Sequence, residues 1–240
     1  MLRIKGKASV DSSLSADTVL WRYLDTSKFV HYATSQNIFL CRADKFEDQF
    51  EGSFTQSIRH AIEKSYKDNK INYTYEKFKE KLKQSVYVNC WHKSPNDSMA
   101  MWKLYGASNC AVAVTTTVKN LEKVFNDAKI DGHIAIKKVT YVKHWREPSL
   151  TIKPYSNVFA YKVTAYDYEK EVRVIIDRFD EGHVNNESGI IINAPAQELI
   201  RSIVVSPEAP EWYKSMIEKV AKDYGINAPV RRSKLATGPI

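Results

Sequence analysis

The chain has 240 residues, and its 43% hydrophobic and 12% aromatic content is ample for a buried core. The formal net charge of +8 at pH 7 favours a polyanionic partner such as nucleic acid. No stretch approaches the roughly 20 consecutive apolar residues that a membrane span requires, so we expect a cytoplasmic protein with no membrane partner.

The predicted elements, in chain order, are short strands and helices. Residues 1–17 are polar and lack periodicity, which predicts a flexible lead-in before a single domain over residues 18–240. Strands are predicted at 18–24, 37–42, 86–92, 110–117, 134–143, 168–176, 189–193 and 199–205. Helices are predicted at 26–36, 51–68, 73–84, 99–105, 118–127 and 208–224, and residues 154–166 fit either helix or strand. Helices concentrate early and strands dominate later, which predicts an α+β fold with a mainly antiparallel central sheet and flanking helices.

The predicted strand at 168–176 has two different faces. Because side chains alternate across a strand, Glu169, Glu171 and Arg173 share one face, and Val172, Val174 and Ile176 share the other. Two carboxylates about 7 Å apart repel one another unless a cation, a metal or a ligand lies between them, and Arg173 supplies only part of that compensation. The strand is therefore either a catalytic edge or a half-exposed strand whose polar face meets water.

Aromatic side chains recur at helical spacing near the middle of the chain. Trp102 and Tyr105 are three residues apart and share one face of the predicted helix. This pattern is typical of core packing, and the functional alternative is a stacking platform for a flat heteroaromatic ligand.

Motifs of several common enzyme classes are absent. The sequence contains no P-loop, G-x-G-x-x-G, G-x-S-x-G, H-E-x-x-H or C-x-x-C, and it has only eight glycines. A glycine-rich loop that cradles nucleotide phosphates is therefore excluded.

An ordered set of motifs resembles an uncharacterised bacterial domain-of-unknown-function family over roughly residues 19–205. The motifs are W-R-Y at 21–23, F-x-D-x-F-E at 46–51, C-W at 90–91, S-x-x-M-W-x-x-Y at 98–105 and Y-E-x-E-x-R at 168–173. This resemblance implies no activity by itself.

The chain is also similar to the ADP-ribosyltransferase fold, in which an early strand bears Arg or His, a middle element Tyr or Ser, and a late strand the catalytic Glu. Arg22, Tyr105 and Glu169-x-Glu171 occur in that order. The resemblance implies NAD as a substrate, with Arg22 on its pyrophosphate or ribose, Tyr105 beside the nicotinamide and Glu171 on the nicotinamide ribose. It implies the catalytic residues Glu171, Glu169, Arg22 and Tyr105, and the cofactor-binding residues Arg22, Tyr23, Trp102, Tyr105 and Arg173. No Ser-Thr-Ser strand or His-Gly-Thr start is present, so the subclass is unassigned.

We therefore expect an NAD-dependent ADP-ribosyltransferase-like toxin or antiviral effector of the bacterial cytoplasm. Its expected partners are a nucleic acid acceptor, RNA or DNA, or a protein acceptor, and a neutralising antitoxin. Two alternatives remain open. One is a metal-dependent nuclease that uses Asp44, Asp48, Glu169 and Glu171 around a divalent cation. The other is a non-catalytic nucleic-acid-binding or partner-binding module whose acids are structural.

Overall fold

The computed structural model describes residues 7–46, 52, 54–106, 108–143, 154–181 and 187–236. The strands in these residues are β1 (Ser9–Val10), β2 (Val19–Asp25), β3 (Asn37–Arg42), β4 (Val86–Lys93), β5 (Ala111–Thr117), β6 (His133–Lys138), β7 (Thr140–Val142), β8 (Tyr161–Val163), β9 (Glu171–Asp177), β10 (Gly189–Asn193), β11 (Ser202–Val205) and β12 (Val230–Arg232). The α-helices are α1 (Thr26–Ser35), α2 (Gln56–Lys67), α3 (Tyr75–Ser85), α4 (Met99–Tyr105), α5 (Val118–Asp127), α6 (Ala196–Leu199) and α7 (Glu211–Asp223). Short 3₁₀ helices span Ala43–Lys45, Tyr155–Ala160, Thr164–Glu169, Phe179–Glu181 and Lys234–Ala236.

The chain divides into two compact units, each assembled from three stretches of sequence. Unit 1 comprises Met1–Asp11, Phe39–Asn89 and Ile130–Ile190. Unit 2 comprises Ser12–Ile38, Cys90–Lys129 and Ile191–Ile240. The expectation of one domain over residues 18–240 stays a prediction.

Unit 1 joins strands to the amphipathic helices α2 and α3. Strand β6 pairs antiparallel with β9 and parallel with β1, and β7 pairs parallel with β8. Thr55 and Thr74 cap the two helices by accepting hydrogen bonds from Ile58 N and Lys77 N. The buried cluster that the helices share with the strands contains Ala43, Ile58, Ile62, Phe78, Leu82, Val86, Val88, Val158, Phe159, Ala160 and Ile175. This core supports one face of β9.

Unit 2 has strand β2 near the middle of its sheet. Strand β2 pairs antiparallel with the end of β4 and along its full length with β5, which pairs antiparallel with β11. Strand β12 joins β11 in parallel. Helix α5 buries one apolar face, Val118, Leu121, Val124 and Phe125, and Thr117 caps its first turn.

The α+β class with a mainly antiparallel sheet and flanking helices is confirmed. Ser98 caps helix α4 by accepting a hydrogen bond from Met101 N, and Gly225 lies just past helix α7 with φ of +70°. The N-cap of α1 is Asp25, whose carboxylate accepts a hydrogen bond from Lys28 N at 2.8 Å.

One prediction for the lead-in and two for strands need correction. Ser9 and Val10, inside the predicted lead-in, pair with strand β6. The predicted strand at 199–205 begins only at Ser202, because residues 196–199 form helix α6. The predicted strand at 168–176 begins only at Glu171, because Lys170 adopts a left-handed conformation with φ of +43° and Glu169 ends a 3₁₀ helix.

Candidate functional site

Strand β9 in unit 1 buries its polar face as well as its apolar one. Residues Glu171 to Ile176 are all buried, so the alternative of a half-exposed strand is wrong. A polar face can be buried only where its charges are neutralised and hydrogen-bonded. Unit 1 meets this requirement with a four-residue group, Lys162, Glu169, Glu171 and Arg173, which we call the charge cluster.

The charge cluster is a continuous chain of ion pairs. Lys162 Nζ donates to Glu169 Oε2 at 2.6 Å and to Glu171 Oε1 at 2.8 Å. Arg173 Nε donates to Glu171 Oε2 at 2.6 Å, and Arg173 Nη1 donates to the carbonyl oxygen of Phe159 at 2.9 Å. Two cations therefore balance two carboxylates, and all four side chains are at most 9% exposed.

The cluster keeps Glu171 ionised. Burial by itself raises the pKa of Glu171, but the charge and hydrogen bond of Arg173 and the charge of Lys162 outweigh it, so the pKa falls well below its ordinary value. The backbone of Glu171 is also fixed, because its N–H donates to Tyr141 Oη at 2.9 Å. Burial raises the pKa of that tyrosine, which therefore stays neutral at physiological pH.

Sequence reasoning missed Lys162. It left open whether a cation, a metal or a ligand lies between the two carboxylates, and the Lys162 ammonium occupies that position. The available signal was the position of Lys162 between Tyr161 and Val163. A charged residue among such neighbours is seldom buried unless it has a partner of opposite charge, so a buried Lys162 would require a carboxylate. Its ammonium also lies 4.5 Å from the centre of the Tyr166 ring.

In unit 2, Arg22 projects from the middle of β2. The side chain is partly buried, its Cζ lies 5.9 Å from the centre of the Trp91 ring, and burial lowers the pKa of its guanidinium. The neighbouring groups that raise its pKa, Cys90 and Tyr32, are not carboxylates, and within the described residues no ion pair or side-chain hydrogen bond engages the guanidinium. The residue as a whole retains partial solvent exposure. Arg22 is therefore a desolvated cation that an anionic ligand could reach.

The predicted aromatic residues lie on the opposite face of β2. Tyr23 packs edge-on against Trp102, with ring centres 4.9 Å apart, and both rings are buried. Trp102 Nε1 donates to Asp97 at 3.2 Å, which holds helix α4 over this face. Tyr105, one turn further along α4, is 44% exposed. The structure therefore brings Tyr23, Trp102 and the helix of Tyr105 together but places Arg22 on the other face of the strand.

Comparisons with known proteins give one structural likeness. No family model matches the chain, and no curated protein matches it. The chain is similar to a solved structure of DarT from Thermus sp. 2.9 in complex with ADP-ribosylated single-stranded DNA. The alignment covers 96% of this chain and 98% of that chain at 8% identity, with a TM-score of 0.43. The function of this chain is therefore inferred from its own residues.

The acids named for the nuclease alternative have other partners where they are described. Asp44 accepts hydrogen bonds from Arg42 Nε at 2.6 Å and Nη2 at 2.9 Å, which hold the pKa of its carboxyl below its usual range against the effect of burial. Asp48 lies outside the described residues. Within the described ranges, no group of three or more His, Cys, Asp and Glu side chains is placed to hold a metal ion. The nuclease reading stays a prediction.

One remaining observation concerns membranes. Among the residues that the structure describes, none of the helices is both long enough and apolar enough to cross a bilayer.

Proposed function

We propose that this chain is an NAD-dependent ADP-ribosyltransferase whose acceptor is a nucleic acid. In this reaction the bond between the ribose carbon C1′ and the nicotinamide nitrogen breaks, and its electron pair leaves with nicotinamide. An oxygen or nitrogen atom of the acceptor then bonds to C1′ and releases a proton. Positive charge develops on the ribose as the bond breaks, so the reaction needs a fixed negative charge beside the sugar.

The observation that carries the proposal is the ionised, immobilised carboxylate of Glu171. Lys162 and Arg173 each use one hydrogen-bonding position on a different oxygen of this carboxylate. A carboxylate oxygen has two lone pairs, so each oxygen retains a further position for a ribose hydroxyl. In the proposal Glu171 is the catalytic residue, and Glu169 assists it through Lys162. Arg173 and Lys162 are positioning residues that hold the carboxylate ionised and in one orientation.

Arg22 supports the choice of an anionic substrate. A partly buried guanidinium without a carboxylate partner is unfavourable until an anion binds it, and arginine forks match phosphate oxygens well. We propose that Arg22 binds the pyrophosphate of NAD.

The aromatic residues have a supporting role in this proposal. Buried Tyr23 and Trp102 anchor helix α4 on the face of β2 opposite to Arg22, and Tyr105 at the end of that helix is exposed. The net charge of +8 supports nucleic acid as acceptor rather than protein. A toxin or antiviral effector acting in the bacterial cytoplasm, with an antitoxin as partner, is the biological role we propose for such an activity.

The test is to incubate the purified chain with NAD and a single-stranded DNA or RNA 20-mer, without added metal. Free nicotinamide and the mass of the oligonucleotide are measured by chromatography and mass spectrometry. We expect nicotinamide release and an oligonucleotide heavier by one ADP-ribose. Glu218→Gln, which removes an exposed carboxylate paired with Lys214 on helix α7, is the matched control and should stay active. Absence of nicotinamide release from the folded protein would overturn the proposal.

A second candidate function, a non-catalytic nucleic-acid-binding module, is favoured by a different observation. Every carboxylate of the charge cluster already bonds to a cation inside unit 1, as a purely structural network requires. Oligonucleotide binding without nicotinamide release would support this candidate. Shortened strands after incubation with Mg²⁺ or Mn²⁺ would instead support the nuclease alternative.

A further inference from the structure

A basic groove lies on one face of the sheet of unit 2. Its volume is about 190 Å³, and its cationic residues are Arg201, Arg231, Arg232 and Lys234. Arg231 lies beside Val204 in the pairing of β12 with β11, so its side chain projects from the same face as Val204. This is the face of Trp21, because Trp21 pairs with Thr115 and Thr115 pairs with Ser202, two residues from Val204. The groove thus has cations along one wall and an aromatic and apolar floor.

Three of the four cations of this groove have no acidic partner among the residues that the structure describes. Arg232 donates to Glu211 Oε2 at 2.7 and 3.0 Å, so its charge is partly balanced. The exposed side chains of Arg201, Arg231 and Lys234 make no ion pair or hydrogen bond with any described residue. The acid that lines the groove, Asp97, already accepts hydrogen bonds from Trp102 and Ser233. The net charge of the groove therefore calls for an anionic ligand.

The size of the groove favours part of a polymer over a whole small molecule. A pocket that encloses a complete drug-sized ligand usually measures about 300 to 1,000 Å³. A groove of about 190 Å³ is smaller, so it fits a short section of a strand that continues beyond it. Its floor consists of partly exposed Val19 with Trp21 and Val204, which are 8% and 4% exposed, and this narrow apolar strip suits the sugars and base edges that a single strand exposes and a duplex does not.

We propose that this groove binds single-stranded nucleic acid, with Arg201, Arg231 and Lys234 contacting successive phosphates. The inference deepens the proposed function and rests on its choice of nucleic acid as acceptor. Its test measures binding in the absence of NAD, so the two proposals fail separately.

The experiment compares two double variants of the full chain. Fluorescent dT20 is titrated with wild type, with Arg201→Gln/Arg231→Gln, and with Lys119→Gln/Lys222→Gln at several salt concentrations. Lys119 and Lys222 are exposed on helices α5 and α7 and do not line the groove, so the second variant loses the same charge elsewhere. We expect the groove variant to bind dT20 about tenfold more weakly than wild type. The slope of log binding constant against log salt concentration should become about 1.4 less steep, since each phosphate contact on a single strand contributes about 0.7 to that slope. The control should change less than about threefold.

Several outcomes would overturn the proposal. Equal weakening in both variants would show that only net charge matters. Equal or tighter binding of a 20-base-pair duplex would identify the ligand as duplex phosphate. Displacement of dT20 by NAD or inorganic phosphate at similar concentrations would make the groove a small-anion site. Strand binding at the groove without nicotinamide release from NAD would leave this inference standing while the transferase proposal fails. Nicotinamide release together with unchanged dT20 binding in the groove variant would support the transferase proposal and overturn the groove proposal.

Discussion

Arg173 Nε lies 2.6 Å from Glu171 Oε2, and the two side chains project from the same face of strand β9. With Lys162 on the other oxygen, this pair turns a repulsive arrangement of two acids into a neutral buried group. The carboxylate of Glu171 thereby has one role in stability and a second, proposed role in chemistry. Substitutions that retain or remove its charge separate the two roles.

Glu171→Gln should lose activity even where it folds. It removes the charge that stabilises the developing positive ribose, so we expect the turnover number for nicotinamide release to fall about a hundredfold or more. It also leaves Lys162 and Arg173 undercompensated, and we expect a loss of about 3 to 5 kcal/mol in the free energy of unfolding. Urea unfolding and single-turnover assays on the folded fraction measure these effects. Glu171→Asp retains the charge on a shorter side chain, so compared with Glu171→Gln it should regain more of the unfolding free energy than of the turnover number. Full activity in both variants would show that Glu171 is not catalytic.

Arg173→Met and Arg22→Met should have opposite effects on stability. Arg173→Met leaves Glu171 as a buried carboxylate short of one partner, so we expect a loss of several kcal/mol in unfolding free energy. Arg22 has no carboxylate partner among the described residues, so replacing it with an apolar side chain of similar length should leave the melting temperature unchanged or raise it. The KM for NAD should rise in Arg22→Met. A melting temperature that falls as far as in Arg173→Met would reveal an ion pair for Arg22 and remove the reason to assign it an anionic ligand.

Stability should fall on acidification through the charge cluster. The pKa of Glu171 is lower in the folded protein than its ordinary unfolded value of about 4.3. The unfolded chain therefore binds the proton first, so this stabilisation is complete above that value and is lost as the pH falls toward the folded pKa. Unfolding free energies measured at pH 7, 5 and 3 should decline less steeply in Glu171→Gln than in wild type. Glu218→Gln should match the wild-type slope, and identical slopes in all three proteins would contradict the assignment.

The cap of helix α1 provides a second, smaller acid-sensitive contribution. Asp25 is partly exposed, and although burial raises its pKa, hydrogen bonds from Ser27 and Lys28 outweigh burial and lower the pKa to about 2. Asp25→Ala removes the cap and should cost about 1 kcal/mol at pH 7. Asp25→Asn keeps a good cap without a titrating group, so its stability should change less than that of wild type between about pH 4 and pH 2. The melting temperatures of wild type, Asp25→Ala and Asp25→Asn at about pH 4 and pH 2 test this expectation.

Much of the fold could be predicted from periodicity and capping residues. Strand β3 and helix α5 have the predicted bounds, because β3 is an apolar run of strand length and the apolar residues of α5 recur at helical spacing. The region 154–170 could not be predicted, because it combines a three-residue strand with two 3₁₀ turns that are too short to show a period. Lys170 also adopts positive φ without being Gly or Asn, the residues that usually indicate that conformation.

The candidate site was predictable only in part, for a related reason. The cation between Glu169 and Glu171 could be inferred from their charges, but identifying it as Lys162 requires the tertiary path of the chain. The sequence does predict which side chains of β2 share a face. Arg22 and Tyr23 are consecutive in a strand, so alternation alone places them on opposite sides.

The pairing of strand β2 has a consequence for how the chain is made. Its residues Val19 to Leu24 are mostly apolar, and Trp21 finds its partner in β5 at Thr115, more than 90 residues later. At about 5 to 20 residues per second, a ribosome needs roughly 5 to 20 s to add those residues. For that interval a hydrophobic strand has no native neighbour in β5 and can pair with other nascent chains. Expression at lower temperature, or together with a chaperone that binds extended apolar segments, should therefore raise the soluble yield more than any stabilising substitution in β5.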